Sequence, residues 1–126
     1  MKKILSIIAI STLVGCANVT FDSNEFDRYV TIKTISDKAK AQCGVSDVKV
    51  QVYVSAMSDM AVHEQVYAQY KWGSSQMLEA STNLTSIITN FNNMITKGPV
   101  SKKYCEEKMD NISQGSIRVM QTLGRF

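Results

Sequence analysis

The stretch that decides the fold is MLEASTNLTSIITNFNNM, residues 77–94. Its apolar residues recur alternately three and four positions apart, which is the spacing of a helix that packs against other helices. The residues on this seam are Met77, Ala80, Leu84, Ile87, Phe91 and Met94. Ser75 is a good N-terminal cap, and Gly98 with Pro99 ends a helix decisively. The pattern therefore predicts one amphipathic helix between these signals.

A first helix is predicted upstream. Asp22, followed three residues later by Glu25, indicates a helix start of the capping-box type. Gly44 is well placed to end this helix after about Gln42. Its apolar face consists of Tyr29, Ile32, Ile35, Ala39 and Cys43.

A last helix is predicted after Ser101, which can cap it. Its apolar face consists of Cys105, Met109, Ile112, Val119, Met120 and Leu123. Gly115 inside this helix costs about 1 kcal/mol relative to alanine. Two alternatives stay open, a continuous helix and a kink or break near Gln114.

The segment VKVQVYV, residues 48–54, supports two interpretations. Its strict alternation of apolar residues is typical of a strand. As a helix, the same region carries an apolar stripe of Val45, Val48, Val52, Ala56, Met60, His63, Val66, Tyr67 and Tyr70. No other segment offers a clear alternating partner, and an isolated strand leaves backbone groups unpaired. We therefore expect a second helix from about 46 to 72, with this stripe as its core face.

Four amphipathic helices with short connections predict an all-α protein, a small up-down four-helix bundle. Residues 25–126 are predicted to form its single helical domain. A domain of about 100 residues has a modest core, so a covalent staple would help to stabilise it.

The beginning of the chain has the three parts of a secretory signal. Lys2 and Lys3 are positive, residues 4–14 are apolar, and the small residue Gly15 precedes Cys16. The apolar run is shorter than the roughly 20 residues that a membrane-spanning helix needs. An ordinary signal peptide with an incidental cysteine is the alternative interpretation.

The stretch LVGC, residues 13–16, resembles the lipobox of bacterial lipoproteins. The resemblance implies that residues 1–15 are removed and that Cys16 carries diacylglycerol and a further acyl chain such as palmitate. Residues 16–24 then form a short lipidated tether. Ala17 stands where aspartate usually retains a lipoprotein in the inner membrane. The expected location is therefore the outer membrane, with the domain facing the periplasm.

The chain has two cysteines besides Cys16, namely Cys43 and Cys105. An exported protein meets oxidising conditions, so these two are expected to form one disulfide. Two unpaired buried thiols are the alternative. In an up-down bundle, the end of the first helix and the start of the last lie at the same end of the molecule, so this pairing agrees with the predicted topology.

The charge of the chain gives no case for nucleic acid as a partner. Without the two signal lysines, twelve Lys and Arg face eleven Asp and Glu, a net charge of only +1. Nucleic-acid binding needs positive charge clustered on one face. No small-molecule substrate is evident either.

Residues able to perform chemistry are few. His63 is the only histidine, and Asp59 lies one helical turn before it, so the pair could form a pH-sensitive contact. A packed histidine at a helix interface with its carboxylate partner is the favoured interpretation. The aromatic group of Trp72, Tyr67 and Tyr70 is expected to fill an end of the core. We predict no catalytic residue, no metal ligand and no cofactor.

The layout resembles secretin pilotins of the PulS/OutS type, which are small outer-membrane lipoproteins with a disulfide-bonded helical domain. The resemblance implies a non-enzymatic protein-binding or assembly module that holds an envelope protein by a helical segment. It identifies no binding residue. The alternative is a phage- or plasmid-encoded exclusion lipoprotein that blocks a receptor or mating partner. A small envelope hydrolase is the third hypothesis.

Overall fold

A computed structural model of the chain describes residues 22–73 and 75–124. This part contains four helices and no strand. They are α1, Ser23–Lys40; α2, Asp47–Trp72; α3, Gln76–Lys97; and α4, Lys102–Leu123. The predicted signal peptide, residues 1–15, and Cys16 lie outside the described residues. The helix already begins at Ser23, inside the segment 16–24 predicted as a tether.

Each helix begins at a side-chain cap that satisfies free backbone amides of its first turn. Asp22 accepts hydrogen bonds from the Asn24 and Glu25 amides at 2.9 and 3.3 Å. The other three caps are Ser46, Ser75 and Ser101, which accept from the Lys49, Leu78 and Tyr104 amides. The capping signals in the sequence therefore locate the helix starts well.

Residues 48–54 belong to α2, so the helical interpretation of the alternating segment is confirmed. The strand interpretation is wrong for a physical reason. A strand needs a neighbour to pair its backbone, whereas the Ser46 cap starts a helix that pairs its own backbone along its length.

The predicted up-down bundle is confirmed. α1 packs against α2 and α4, and α3 packs against the same two helices, so the four helices form a closed ring of neighbours. Connections between successive helices are short, which makes neighbours antiparallel. One end of the bundle holds the start of α1 and the end of α2. The other end holds the end of α1 and the start of α4.

The core is filled mainly by large aliphatic and aromatic side chains from all four helices, including Tyr29, Ile32, Met57, Leu84, Ile88, Phe91, Met109 and Ile112. The seam predicted for α3 is right at Met77, Leu84 and Phe91, which are buried. The prediction for Met94 is wrong. α3 is rotated slightly, so Ile95 enters the core instead and Met94 stays 46% exposed.

Gly115 is buried in α4, and the helix runs through it without a break. Of the two alternatives left open by the sequence, the continuous helix is therefore correct. A Cβ atom added there would lie 3.0 Å from Cδ1 of Leu84. The glycine therefore lets α4 approach α3 closely. This gain in packing offsets the helix propensity that glycine lacks.

Cys43 and Cys105 form a disulfide at the end of the bundle where α1 ends and α4 begins, as predicted. Both residues are buried. Gly44 follows directly with φ +75°, and a Cβ there would lie 2.9 Å from the Lys102 side chain. The turn after α1 thus needs glycine for both its backbone conformation and its close approach to α4.

Replacing both Cys43 and Cys105 with alanine should lower the free energy of unfolding by about 4 kcal/mol, because the bond closes a loop of 62 residues. Urea unfolding followed by circular dichroism measures this loss. Reductant should destabilise the parent protein by a similar amount and leave the double variant unchanged. A parent protein that has two free thiols and whose stability does not change with reductant would contradict a stabilising disulfide.

Candidate functional site

The stripe predicted as the core face of α2 is wrong for most of its residues, which point to solvent. The most exposed are Val45 75%, Val48 71%, Val52 64%, Val66 48% and Tyr70 88%. Met60 and Tyr67 are half-buried, and Met60 packs against the edge of the core. The core face lies on the opposite side of the helix and consists of Val50, Val54, Met57, Ser58, Ala61, Glu64, Ala68 and Trp72. α2 is therefore apolar on two opposite faces.

Helical spacing alone does not choose between these faces, since both repeat every three or four residues. The composition of the faces gives only a weak signal, because Asp59 and His63 interrupt the outward face and Ser58 and Glu64 interrupt the inward one. The inward face does carry Met57 and Trp72, whose large side chains gain much from burial.

A surface helix normally presents polar residues to water. The outer face of α2 departs from this rule in two places. We name Val45, Val48, Val52 and Ala56 the distal ridge, because they lie toward the disulfide end of the bundle. We name Val62, Val66 and Tyr70 the proximal patch, at the end where α1 begins.

The distal ridge borders an open groove of about 560 Å³ between α2 and α3. Its walls combine Val48, Val52 and Ala56 with Gln51, Ser55, Asp59, Asn92 and Thr96. The Gln51 amide donates a hydrogen bond to the Ile95 carbonyl at 3.2 Å, which ties the two helices together beneath the groove. The arrangement offers an apolar strip with a polar rim and one carboxylate at its end.

His63 is not packed at a helix interface, so that interpretation is wrong. Its side chain is 72% exposed, and its Nδ1 lies 3.4 Å from Oε1 of Glu64. Asp59 is exposed on the same outer face. Among the described residues, no three His, Cys, Asp or Glu side chains are grouped so that they could hold a metal ion.

Two carboxylates are buried between α1 and α2. The sequence predicted Glu25 as part of a capping box, but its side chain binds residues of α2 instead, and Glu64 was not singled out. Oε1 of Glu25 accepts a hydrogen bond from the Trp72 indole at 2.9 Å, and Oε2 accepts one from the Lys71 ammonium at 3.2 Å. Oε1 of Glu64 pairs with Arg28 at 3.0 Å, while its Oε2 has no hydrogen-bond partner. Buried carboxylates need such partners, because an unpaired charge is costly to bury.

Tyr29 lies close to both carboxylates. Burial is the main cause that raises the pKa of its phenol, and the negative charges of Glu64 and Glu25 add to the effect. Its hydroxyl lies 3.1 Å from the Ser81 hydroxyl on α3. The phenol therefore stays neutral and links three helices by packing and a hydrogen bond.

The aromatic group at the end of α2 divides into three environments. Trp72 is buried as predicted, Tyr67 is half-buried with its hydroxyl donating to Asp22 at 3.4 Å, and Tyr70 is exposed. Burial alone would raise the pKa of Asp22. Hydrogen bonds from the Glu25 and Asn24 amides, together with Lys71 and Tyr67, outweigh it and lower that pKa.

None of the helices in the described ranges is long and apolar enough to cross a membrane. A comparison with known proteins found no matching family model, no similar curated protein and no similar solved structure.

Arg28→Ala should cost about 1–3 kcal/mol of unfolding free energy, because it leaves a buried carboxylate without its cation. Lys33→Ala is the matched control, since it removes a cation from an exposed pair with Asp37 and should cost about 0.3–0.5 kcal/mol. Adding Glu64→Gln to Arg28→Ala should restore stability, because a neutral amide is cheaper to bury. Equal losses in the two alanine variants would contradict the role of the pair.

Proposed function

We propose that this protein is a small lipoprotein, anchored in the outer membrane through lipid on Cys16, whose helical domain binds an envelope protein. It acts as a non-enzymatic assembly or accessory module. The observation that carries the proposal is the exposed apolar distal ridge of α2. Two features of the chain support the anchoring half, and the shape and chemistry of the ridge support the binding half.

The disulfide supports export and leaves one cysteine for another purpose. Cys43 and Cys105 are joined to each other, so Cys16 is the one remaining cysteine of the three in the chain. Structural disulfides persist in oxidising compartments such as the periplasm. The LVGC stretch at 13–16 supplies the chemistry for anchoring, and two or more acyl chains give stable membrane attachment.

The distal ridge fits an amphipathic helix as its occupant. Its helical part, from Val48 to Ala56, runs about 12 Å, or roughly two helical turns, and Val45 lies in the turn just before α2. A partner helix with apolar residues spaced i, i+3 or i+4, and i+7 can lay that face along the ridge. Asp59 stands at one end of the groove. A basic residue at the corresponding end of the partner helix complements it.

The energetics favour a partner held at the same membrane. Full burial of a valine side chain is worth about 1.5–3 kcal/mol, and much of this gain is lost to the cost of association. Attachment of both molecules to one membrane raises their effective concentration, so a modest contact suffices. The ridge thus suits a tethered module better than a free one.

Replacing Cys16 with serine should abolish incorporation of labelled palmitate and release the protein from membranes or leave it as an uncleaved precursor. The thiol of Cys16 is the proposed attachment point, and serine cannot form the thioether. Membrane fractionation with lipid labelling measures both effects. Cys43→Ala with Cys105→Ala is the matched control and should keep the label. Unchanged labelling of Cys16→Ser would refute the lipid anchor.

A photo-crosslinking residue placed at position 56 should form a crosslink to the partner helix. Val48→Asp combined with Val52→Asp should abolish this crosslink, because two charges cannot be buried in an apolar contact. The measurement is mass mapping of crosslinks formed in envelope membranes. Val30→Asp with Thr34→Asp places the same charges at the same spacing on exposed α1 positions and should leave the crosslink intact.

Retention of the crosslink in Val48→Asp/Val52→Asp would contradict the ridge as the binding surface. Its loss in the α1 control as well would also count against the ridge, since that result points to a general effect of charge. Circular dichroism of both variants should show an intact helical fold, because all four positions are exposed.

A further inference from the structure

The proximal patch is a second apolar surface on α2, separate from the distal ridge. Val62, Val66 and Tyr70 follow one another at intervals of four residues and are 43%, 48% and 88% exposed. Asp59 lies between the two surfaces on the outer face, and His63 lies within the span of the proximal patch. A tyrosine exposed at the end of a helix combines an apolar ring with a polar hydroxyl. Such side chains are enriched where protein meets the membrane–water interface.

The length of chain before the bundle limits how far this patch can lie from the lipid. Asp22 follows Cys16 by six positions, with five residues between them. Fully extended, six residues span at most about 22 Å. A flexible chain of that length has a typical end-to-end distance of about 14 Å. The end of the bundle that holds Asp22 therefore stays close to any membrane that holds Cys16.

The contacts of Asp22 place the start of α1 close to the proximal patch. Its Oδ2 lies 3.4 Å from the Tyr67 hydroxyl and 3.6 Å from the Lys71 ammonium. Both of these residues lie within one helical turn of Tyr70. Val48, in the distal ridge, lies about 33 Å farther along α2 at 1.5 Å per residue.

We propose that the proximal patch rests on the lipid surface that holds the anchor, with Tyr70 and Val66 in the interfacial region. This inference rests on the proposed lipidation of Cys16. The Lys71 ammonium is already engaged by Asp22 and Glu25, so the contact is made by apolar side chains. It therefore forms on uncharged as well as anionic lipid. The distal ridge then points away from the bilayer, and its partner helix is bound outside the headgroup region.

The tether makes so small a contact effective. Three partly exposed side chains would not hold a free protein on a bilayer, since association costs several kcal/mol. A short tether lowers that cost, because it holds the patch near the bilayer at an effective concentration in the millimolar range. The patch then sets the orientation of a protein that the lipid already retains.

Fluorescence quenching in vesicles tests this orientation. The full lipidated chain is reconstituted in phosphatidylethanolamine and phosphatidylcholine vesicles that contain headgroup-spin-labelled lipid. Gln69→Cys and Val48→Cys, both at exposed positions, receive the same fluorophore in separate samples. Each introduced cysteine is the sole free thiol, because Cys43 is paired with Cys105 and Cys16 is acylated. Quenching at 69 should exceed quenching at 48 severalfold.

Tyr70→Ser with Val66→Ser, combined with the label at 69, should clearly lower quenching, to the residual level that the tether alone produces. Val52→Ser with Ala56→Ser is the matched control on the distal ridge and should leave quenching at 69 unchanged. Equal quenching at 69 and 48 overturns the proposal. Strong quenching at 69 that survives Tyr70→Ser/Val66→Ser also overturns it, because the tether alone then explains the proximity.

Flotation of the vesicles separates this inference from the lipid anchor. A chain that does not float with vesicles overturns the lipidation of Cys16 and the inference together. A chain that floats but shows equal quenching at the two positions overturns only the contact made by the proximal patch.

Discussion

Two ion pairs between α1 and α2 form only when the inward face of α2 lies in the core, and the exposed surfaces of the molecule depend on that orientation. Glu64 projects from the inward face of α2 to Arg28, and Glu25 of α1 accepts from Trp72 and Lys71. Rotating α2 by half a turn would bury the outer valines, but it would expose Met57 and Trp72 and carry Lys71 and Trp72 away from Glu25. Glu25 would then stay buried on α1 without a partner, which is costly.

The sequence predicts the helices well because local chemistry determines where they begin. Asp22, Ser75 and Ser101 are caps that act within one turn, and glycine follows soon after each of the four helices. The disulfide is also predictable, since the proposed lipidation of Cys16 leaves a single possible pair. Both kinds of inference need little information about distant parts of the chain.

The rotation of α2 could not be predicted in this way, because it depends on contacts between helices. Apolar residues at helical spacing lie on both of its faces, and the deciding partner, Arg28, comes from another helix. The exposure of His63 follows from the same rotation. Gly115 is ambiguous in the sequence for a related reason, since its closeness to Leu84 exists only when α3 and α4 are packed. Helical spacing therefore groups the residues of the candidate binding surface correctly but assigns them to the core.

The disulfide has a mechanical consequence for a tethered protein. In the proposed arrangement, force on the lipid anchor would enter α1 at Asp22, and force from a partner on the distal ridge would enter near Val45, two residues beyond Cys43. α1 is therefore loaded along its length in shear, the direction in which many side-chain contacts must yield together. Because Cys43 is bonded to Cys105, α4 shares the strain at that end. The covalent bridge thus divides tension between two helices, and α3 stays outside the direct path of the load.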